Sequence, residues 1–339
     1  MTRLSLGAFS AAPTITDGLR PVNLQSDLRP LADLIELAFA DSMDSAGRSA
    51  IREMRYLSHM GAALRLLTRL NSLAEGISLG YVYLVAGELV GNVSIYPANF
   101  PRELGETWLL ANVAVHPRHQ RRGIAQKLVA SSLDTLRARG AATVILQADC
   151  ANEAALRLYE ATGFRYERAW THWRRSSRMR ASAPTPHDFH ITRLRRKEGA
   201  AEFALAEAAR PNSRGGLGWL KPLRKADFCP SPWQQARKWL SMNSLEKLII
   251  RSADEREILA SCWLENAAIG FGRVQARLFS SPAKDHRAYA EALISNLVSR
   301  YDRATILVEH PRDDDVVSEL LRQQQFKARR ELWHMRLDF

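Results

Sequence analysis

The chain has 339 residues, 46% apolar and 25% charged, with a formal net charge of +12. That length predicts two domains with material for full hydrophobic cores, and the composition excludes a fibrous or low-complexity chain. No apolar run approaches the roughly 18 residues that a membrane helix needs.

Taken in order, "MTRLSLGAFSAAPTITDG" has one Arg and an apolar run too short for a signal peptide. "GLRPVNL" reads as a strand and "LRPLADLIELAFA" as a helix, and a second helical region covers Ala50 to Leu73. "YVYLVAGELVGNVSIYPA" is a hairpin turning near Gly87-Glu88. "TWLLANVAV" (Thr107 to Val115) is apolar, ends in β-branched residues and meets Pro117, so it reads as a buried strand. Apolar residues at Ile124, Leu128, Val129, Leu133 and Leu136 then repeat with helical spacing, and Gly140 supplies a stop.

A repeat organises the rest. At an offset of 162 residues, the ungapped blocks 142–174 and 304–336 share seven identities, among them Phe164 with Phe326 and His172 with His334. Both blocks run strand, helix, Phe, then a strand of alternating bulky and cationic residues. A period this long implies duplication of a whole domain rather than a solenoid. "ASAPTPHDFH" between the halves is the best linker. The expected organisation is therefore a first domain over 1–178, a linker over 179–188 and a second domain over 189–339. Each domain is mixed α/β, with helices on the faces of a sheet.

Residues 1–178 carry 21 Lys and Arg against 16 Asp and Glu; the remainder carries 27 against 20. The excess is shared and interleaved with acids, which argues for a basic surface rather than a nucleic-acid-binding tail. Cys150, Cys229 and Cys262 are widely spaced and form no metal or disulfide pattern, so a reducing cytoplasm is the expected compartment and no metal is expected.

The sharpest local feature is the basic strand-to-helix loop "HPRHQRRGIAQKL" (His116 to Leu128). A helix N-terminus presents unsatisfied N–H groups and about half a positive charge, and it binds phosphate where a glycine lets the backbone approach. Gly123 and the small Ala125 sit at the approach positions, flanked by Gln120, Arg121, Arg122 and Ile124. A surface turn with solvated arginines would look the same locally.

The stretch "LANVAVHPRHQRRGIAQKLV" resembles the acetyl-CoA-binding motif of the GNAT superfamily of N-acetyltransferases, at Gln120, Gly123 and Ala125. "NEAALRLYEATGF" (Asn152 to Phe164) is similar to the family's second signature, with Tyr159 seven residues after Asn152. The resemblance covers about residues 17–175. It implies a splayed sheet, a pyrophosphate held by Gln120 to Ala125, and backbone groups of Asn112, Val113, Ala114 and Val115 along the pantetheine arm. One N–H of that stretch would polarise the thioester carbonyl. It also implies that Asn152 hydrogen-bonds the cofactor and that Tyr159 protonates the departing thiolate. Local sequence alone reads Asn152 as a helix N-cap and Tyr159 as packing. Gly163 reads as a left-handed C-terminal cap and Phe164 as core.

Glu106 is a candidate general base through water, although a solvated loop carboxylate fits it as well. On the resemblance an amine acceptor, small-molecule or peptidyl, attacks the acetyl carbon directly. Its pocket is expected near "FADSMDSAGRSAIREMRYLSHM", where Asp41, Asp44 and Glu53 would attract a cation.

At the repeat offset Gly123 falls on Asp285, Asn152 on Asp314 and Tyr159 on Leu321. The second half therefore looks like a copy that has lost cofactor binding and serves structure or the substrate pocket. Mycothiol synthases share the two-copy plan, with the second copy typically the competent one; here it is the first. The rival readings are an acetyl-CoA-binding sensor or scaffold without turnover, and a mycothiol-synthase-like acetyltransferase.

Overall fold

The computed structural model describes residues 17–40, 43, 45–59, 79–180, 189–231, 233, 244–266, 272–282 and 285–339. By contacts the chain forms two compact units, one of residues 1–98, 107–144 and 339, the other of 99–106 and 145–338. Asp41, Asp44, most of the expected linker and the second part of the expected helix 50–73 lie outside the described residues.

In the first unit β1 (Gly18–Pro21), β2 (Tyr81–Val85), β3 (Glu88–Ala98) and β4 (Thr107–Val115) form an antiparallel run in that order. Side chains alternate across a strand, so β2 serves two faces. Val82 and Leu84 pack with Leu28, Leu31 and Ile35 of α1 (Leu24–Ala38) and Ile51 and Met54 of α2 (Ser45–Ser58). On the other face the Tyr81 hydroxyl lies 2.6 Å from Thr135 Oγ1 of α3 (Ile124–Ala138).

Helix α1 starts where Asn23 Oδ1 accepts from the Gln25 N–H. It is tied to β1 by Asp27, 3% exposed, which takes two bonds from the Arg20 guanidinium at 2.6 and 2.8 Å and one from the Asn23 N–H. Helix α3 approaches β3 closely at Gly91, where a Cβ would stand 2.9 Å from Ile124 and 3.0 Å from Leu128. The missing side chain at Gly91 thus sets the depth at which α3 begins.

The second unit orders its strands as β5 (Thr143–Asp149), β12 (Lys327–Asp338), β6 (Arg165–Arg175), β11 (Thr305–Pro311), β10 (Arg273–Ser280), β9 (Ile258–Asn266), β8 (Ser244–Arg251) and β7 (Ile191–Arg193). β10 and β11 are parallel; β6 is antiparallel to both its neighbours. Helices α6 (His286–Arg300) and α7 (Asp315–Gln323) pack on the face that shows Ala260, Cys262 and Leu264 of β9. On the other face α5 (Gly199–Ala209) packs near Trp263. There the fully buried Glu202 accepts from Ser261, Trp263 and Lys247 at 2.7 to 2.8 Å.

The division by contacts does not fall at the expected boundary near 178. β6 belongs to the first half in sequence, yet it lies between β11 and β12 of the second. Its ladder hydrogen bonds join it to the second half. Elsewhere the predicted elements match: β4 spans Thr107–Val115, α3 starts at Ile124, and the hairpin turns at Ala86-Gly87.

Candidate functional site

In the first unit the loop after β4 runs through a single helical turn, Pro117–His119, and an extended Gln120 before α3. The Gln120 amide donates back to the Val115 carbonyl at 3.2 Å, which folds the loop over the end of β4. Arg121 (φ +59°) and Gly123 (φ +73°) are both left-handed, so the chain twists sharply into the helix. Gly123 is the N-cap residue, no side chain caps the helix, and the first turn carries no acid. The first N–H groups of α3 are thereby left to an external acceptor. A Cβ at Gly123 would meet nothing within 4 Å, so the space before these donors is open. Arg121, Arg122 and Gly123 are exposed, Ala125 is half-buried and Ile124 buried. This is a cradle suited to a phosphate-bearing group.

Upstream, β4 carries a bulge. Its register with β3 shifts between Asn92 and Ser94, which face Ala114 and Ala111, and Asn112 takes φ +52°. Two residues, Asn112 and Val113, therefore stand opposite one, and the ladder is locally broken. Polar side chains hold the bulge: Asn92 Nδ2 donates to the Asn112 carbonyl at 2.9 Å and Asn112 Nδ2 to Ser94 Oγ at 3.3 Å. The Tyr96 phenol bonds to Ser94 and Asn112, although burial still pushes its pKa up. Sequence reasoning missed Asn92, Ser94 and Tyr96. Their signal was two small polar residues inside the apolar run "LVGNVSIY".

In the second unit Asn152 is the N-cap of α4 (Glu153–Ala161), its Oδ1 accepting the Ala155 N–H at 3.1 Å. The capping reading is thus satisfied by the side-chain oxygen of an exposed residue. Tyr159 is 7% exposed, set edge-on to Phe164 with ring centroids 5.9 Å apart. Burial pushes its phenol up to about 12. Gly163 is left-handed at φ +96°, closing the helix as expected. Glu106 is exposed just before β4, and Glu53 is exposed on α2.

The counterparts in the second half are tied up internally. Asp314 caps α7 by accepting the Val317 N–H, and its two carboxylate oxygens also meet His286 Nε2 at 3.1 Å and His310 Nε2 at 2.8 Å. His286 Nδ1 in turn contacts Ser280 Oγ at 2.6 Å. Among the described residues no helix is long and apolar enough to cross a membrane, and no group of three or more His, Cys, Asp or Glu is placed to hold a metal.

Residues 50–164 match the model of the acetyltransferase (GNAT) family. Over 65 residues it is 38% identical to N-alpha-acetyltransferase 30 of Schizosaccharomyces pombe, a match covering 19% of this chain and 43% of that protein. The chain thus spans less than half the length of that curated relative. A GCN5-related N-acetyltransferase from Sphaerobacter thermophilus superposes with a TM-score of 0.59 at 17% identity, over 94% of this chain and 95% of that one. A tandem GNAT protein from the clavulanic acid biosynthesis pathway does so with a TM-score of 0.52 at 12% identity, over 94% and 98%. The fold is mixed α/β, a mixed sheet flanked by helices, as in these GNAT structures.

Proposed function

We propose that the chain is an N-acetyltransferase that moves an acetyl group from acetyl-CoA to an amine, with one working site, in the first half. The observation that carries this reading is the uncapped N-terminus of α3 behind the left-handed Gly123, within the residues that match the GNAT model. Acetyl-CoA supplies the activated acyl group. The N–H groups at Ile124 and Ala125 bind its pyrophosphate, with Gln120 shaping the loop and Arg121 and Arg122 attracting the negative charge. Backbone N–H groups of Asn112 to Val115 line its arm, and the one released by the bulge offers a hydrogen bond to the carbonyl oxygen as it gains charge.

The remaining roles rest on the resemblance. Asn152 donates its amide N–H groups to the cofactor, and Tyr159 donates its phenolic hydrogen to the departing sulfur. Glu106 takes a proton from the acceptor's ammonium through water, which frees the amine to attack. The acceptor is a small-molecule or peptidyl amine.

The burial of Tyr159 favours one second reading, a chain that binds acetyl-CoA without turning it over. Release of free thiol, followed with and without a panel of amines, tests the proposal. Amine-dependent thiol release supports transfer; tight binding with no release by any amine leaves the sensor reading.

A further inference from the structure

In the second unit β10 and β11 are parallel neighbours, and each runs on into a helix, α6 and α7. Open α/β sheets place their ligands where parallel strands end and helices begin. That place holds a hydrogen-bonded row of side chains: Ser280 at the end of β10, His286 at the start of α6, Asp314 capping α7, His310 near the end of β11, and Arg210. The stretch "FSSPAKDHRAYAEAL", which carries Ser280 and His286, has no role in the transferase reading.

The row has one consistent direction. Both ring nitrogens of His310 lie 3.2 Å from Arg210 Nη2, and Nε2 lies nearer still to Asp314 Oδ2, at 2.8 Å. Arginine only donates and a carboxylate only accepts, so Nε2 carries the hydrogen and Nδ1 takes the one from Arg210. Burial, with the Arg210 charge beside it, pulls His310 down to about 4, so this ring is neutral. Burial alone would push the Asp314 carboxyl up, yet the bonds from His286 and His310 hold it well below the usual range. An ionised Asp314 fixes the tautomer of His286 as well: Nε2 donates to Oδ1 at 3.1 Å. His286 Nδ1 is thereby left bare, and it accepts from Ser280 Oγ at 2.6 Å.

A hydroxyl on a bare imidazole nitrogen, with the other nitrogen held by a buried carboxylate, is the arrangement that activates a serine. Such sites are recognised by the role of each group, whichever ring nitrogen takes it. The N-terminus of α6 adds donors for an oxyanion. No side chain caps it and its first turn carries no acid, so the N–H groups beginning at His286 have no side-chain acceptor. Solvent reaches the row at His286, whose side chain is 31% exposed, while Ser280 is 6% exposed. That access suits a small acyl group.

We propose that Ser280 is the nucleophile of a second, hydrolytic site for small carboxylic esters, with His286 as its base and Asp314 as the positioning residue. Ser280 Oγ attacks the carbonyl carbon and its proton passes to His286 Nδ1. The bond from that carbon to the leaving oxygen breaks, and His286 returns the proton to the departing alcohol. Water then attacks the acyl-serine, giving its proton to His286; the bond to Oγ breaks, Ser280 recovers the proton and the acid leaves. The second unit supplies every group, so the inference goes beyond the transferase reading and holds with or without turnover in the first half.

The test uses the full chain without coenzyme A or amine. Phenylmethanesulfonyl fluoride should sulfonylate Ser280 with loss of fluoride, at one label per chain, located by peptide mass mapping of the wild type. The wild type should hydrolyse p-nitrophenyl acetate with a burst of nitrophenolate, and the sulfonylated protein should not. Ser280→Ala and His286→Gln, with folding checked by circular dichroism, should lower kcat by about a hundredfold or more. Asp314→Asn keeps a capping side chain on α7 but loses the carboxylate, so it should lower kcat with the KM for the ester little changed. No label on Ser280, no burst, or a folded Ser280→Ala that hydrolyses the ester like the wild type would each overturn the proposal and leave the row as a structural network.

Discussion

Gly123 and Asp285 are 162 residues apart, and each caps a fifteen-residue helix from the left-handed region, at φ +73° and +33°. Both helices thus begin at a left-handed backbone twist. What differs is the residue at the twist. Gly123 offers bare backbone; Asp285 brings a side chain and a negative charge to the place where a phosphate would sit.

Titration is therefore expected to find one coenzyme A per chain. Gly123→Glu should abolish binding, because its carboxylate repels the pyrophosphate and its side chain enters the open space before α3. Asp285→Gly should leave the stoichiometry at one, because Asp314 remains engaged by His286 and His310. Calorimetry on the three proteins checks this, and two sites in the wild type would place a working cradle in the second half.

Tyr159→Phe is expected to lower kcat by about a hundredfold or more, the lower range for loss of a general acid, with the KM for acetyl-CoA little changed. Its burial fixes the sign of the pH dependence. A phenol held up to about 12 keeps its proton through the working range, so this group contributes no alkaline limb to kcat below roughly pH 11. A chemistry-limited assay that shows the Phe variant at wild-type kcat would remove Tyr159 from the mechanism and leave it as packing against Phe164.

Much of the framework was legible because it is periodic. β4 and α3 are bounded by Pro117 and Gly123 and by apolar repeats, and both came out where the pattern put them. The repeat offset was legible as well, and cap falls on cap at Gly123 with Asp285 and at Asn152 with Asp314. The bulge was not legible, because Asn112 owes its left-handed backbone to Asn92 and Ser94 across the ladder rather than to its neighbours. Nor was the placing of β6 between β11 and β12, since pairing between strands more than a hundred residues apart leaves no local pattern. The burial of Tyr159 depends on packing around α4 that spacing alone does not show.

His334 makes stability sensitive to acid. Burial among Trp170 and Trp219 pulls its pKa from 6.5 down to about 3. A depressed folded-state pKa means that the stabilisation is present above the unfolded value and is lost as pH falls through the folded one. Each unit of pH in that window costs about 1.4 kcal/mol, so this histidine alone should remove about 2 kcal/mol between pH 7 and pH 5. Urea unfolding at the two pH values measures it. His334→Gln, which cannot take up a proton, should flatten the difference; an equal loss in the variant would locate the acid sensitivity elsewhere.

Asn152→Asp separates capping from cofactor binding. The observed cap uses the side-chain oxygen, which accepts the Ala155 N–H, and aspartate caps a helix as well as asparagine does. Asp314 already does so at the matching place in the second half. The substitution should therefore leave the melting temperature unchanged. It removes both amide hydrogens and adds a negative charge, so the Kd for acetyl-CoA should rise by about tenfold if the amide donates to the cofactor, in line with the loss of one hydrogen bond plus like-charge repulsion. Asn152→Ala loses the cap too, and should cost about 1 kcal/mol of stability in addition. Melting curves and calorimetry on both variants read the two effects apart. An aspartate variant that binds acetyl-CoA like the wild type would make Asn152 a cap and nothing more, and the cofactor would then depend on the α3 cradle and the β4 bulge alone.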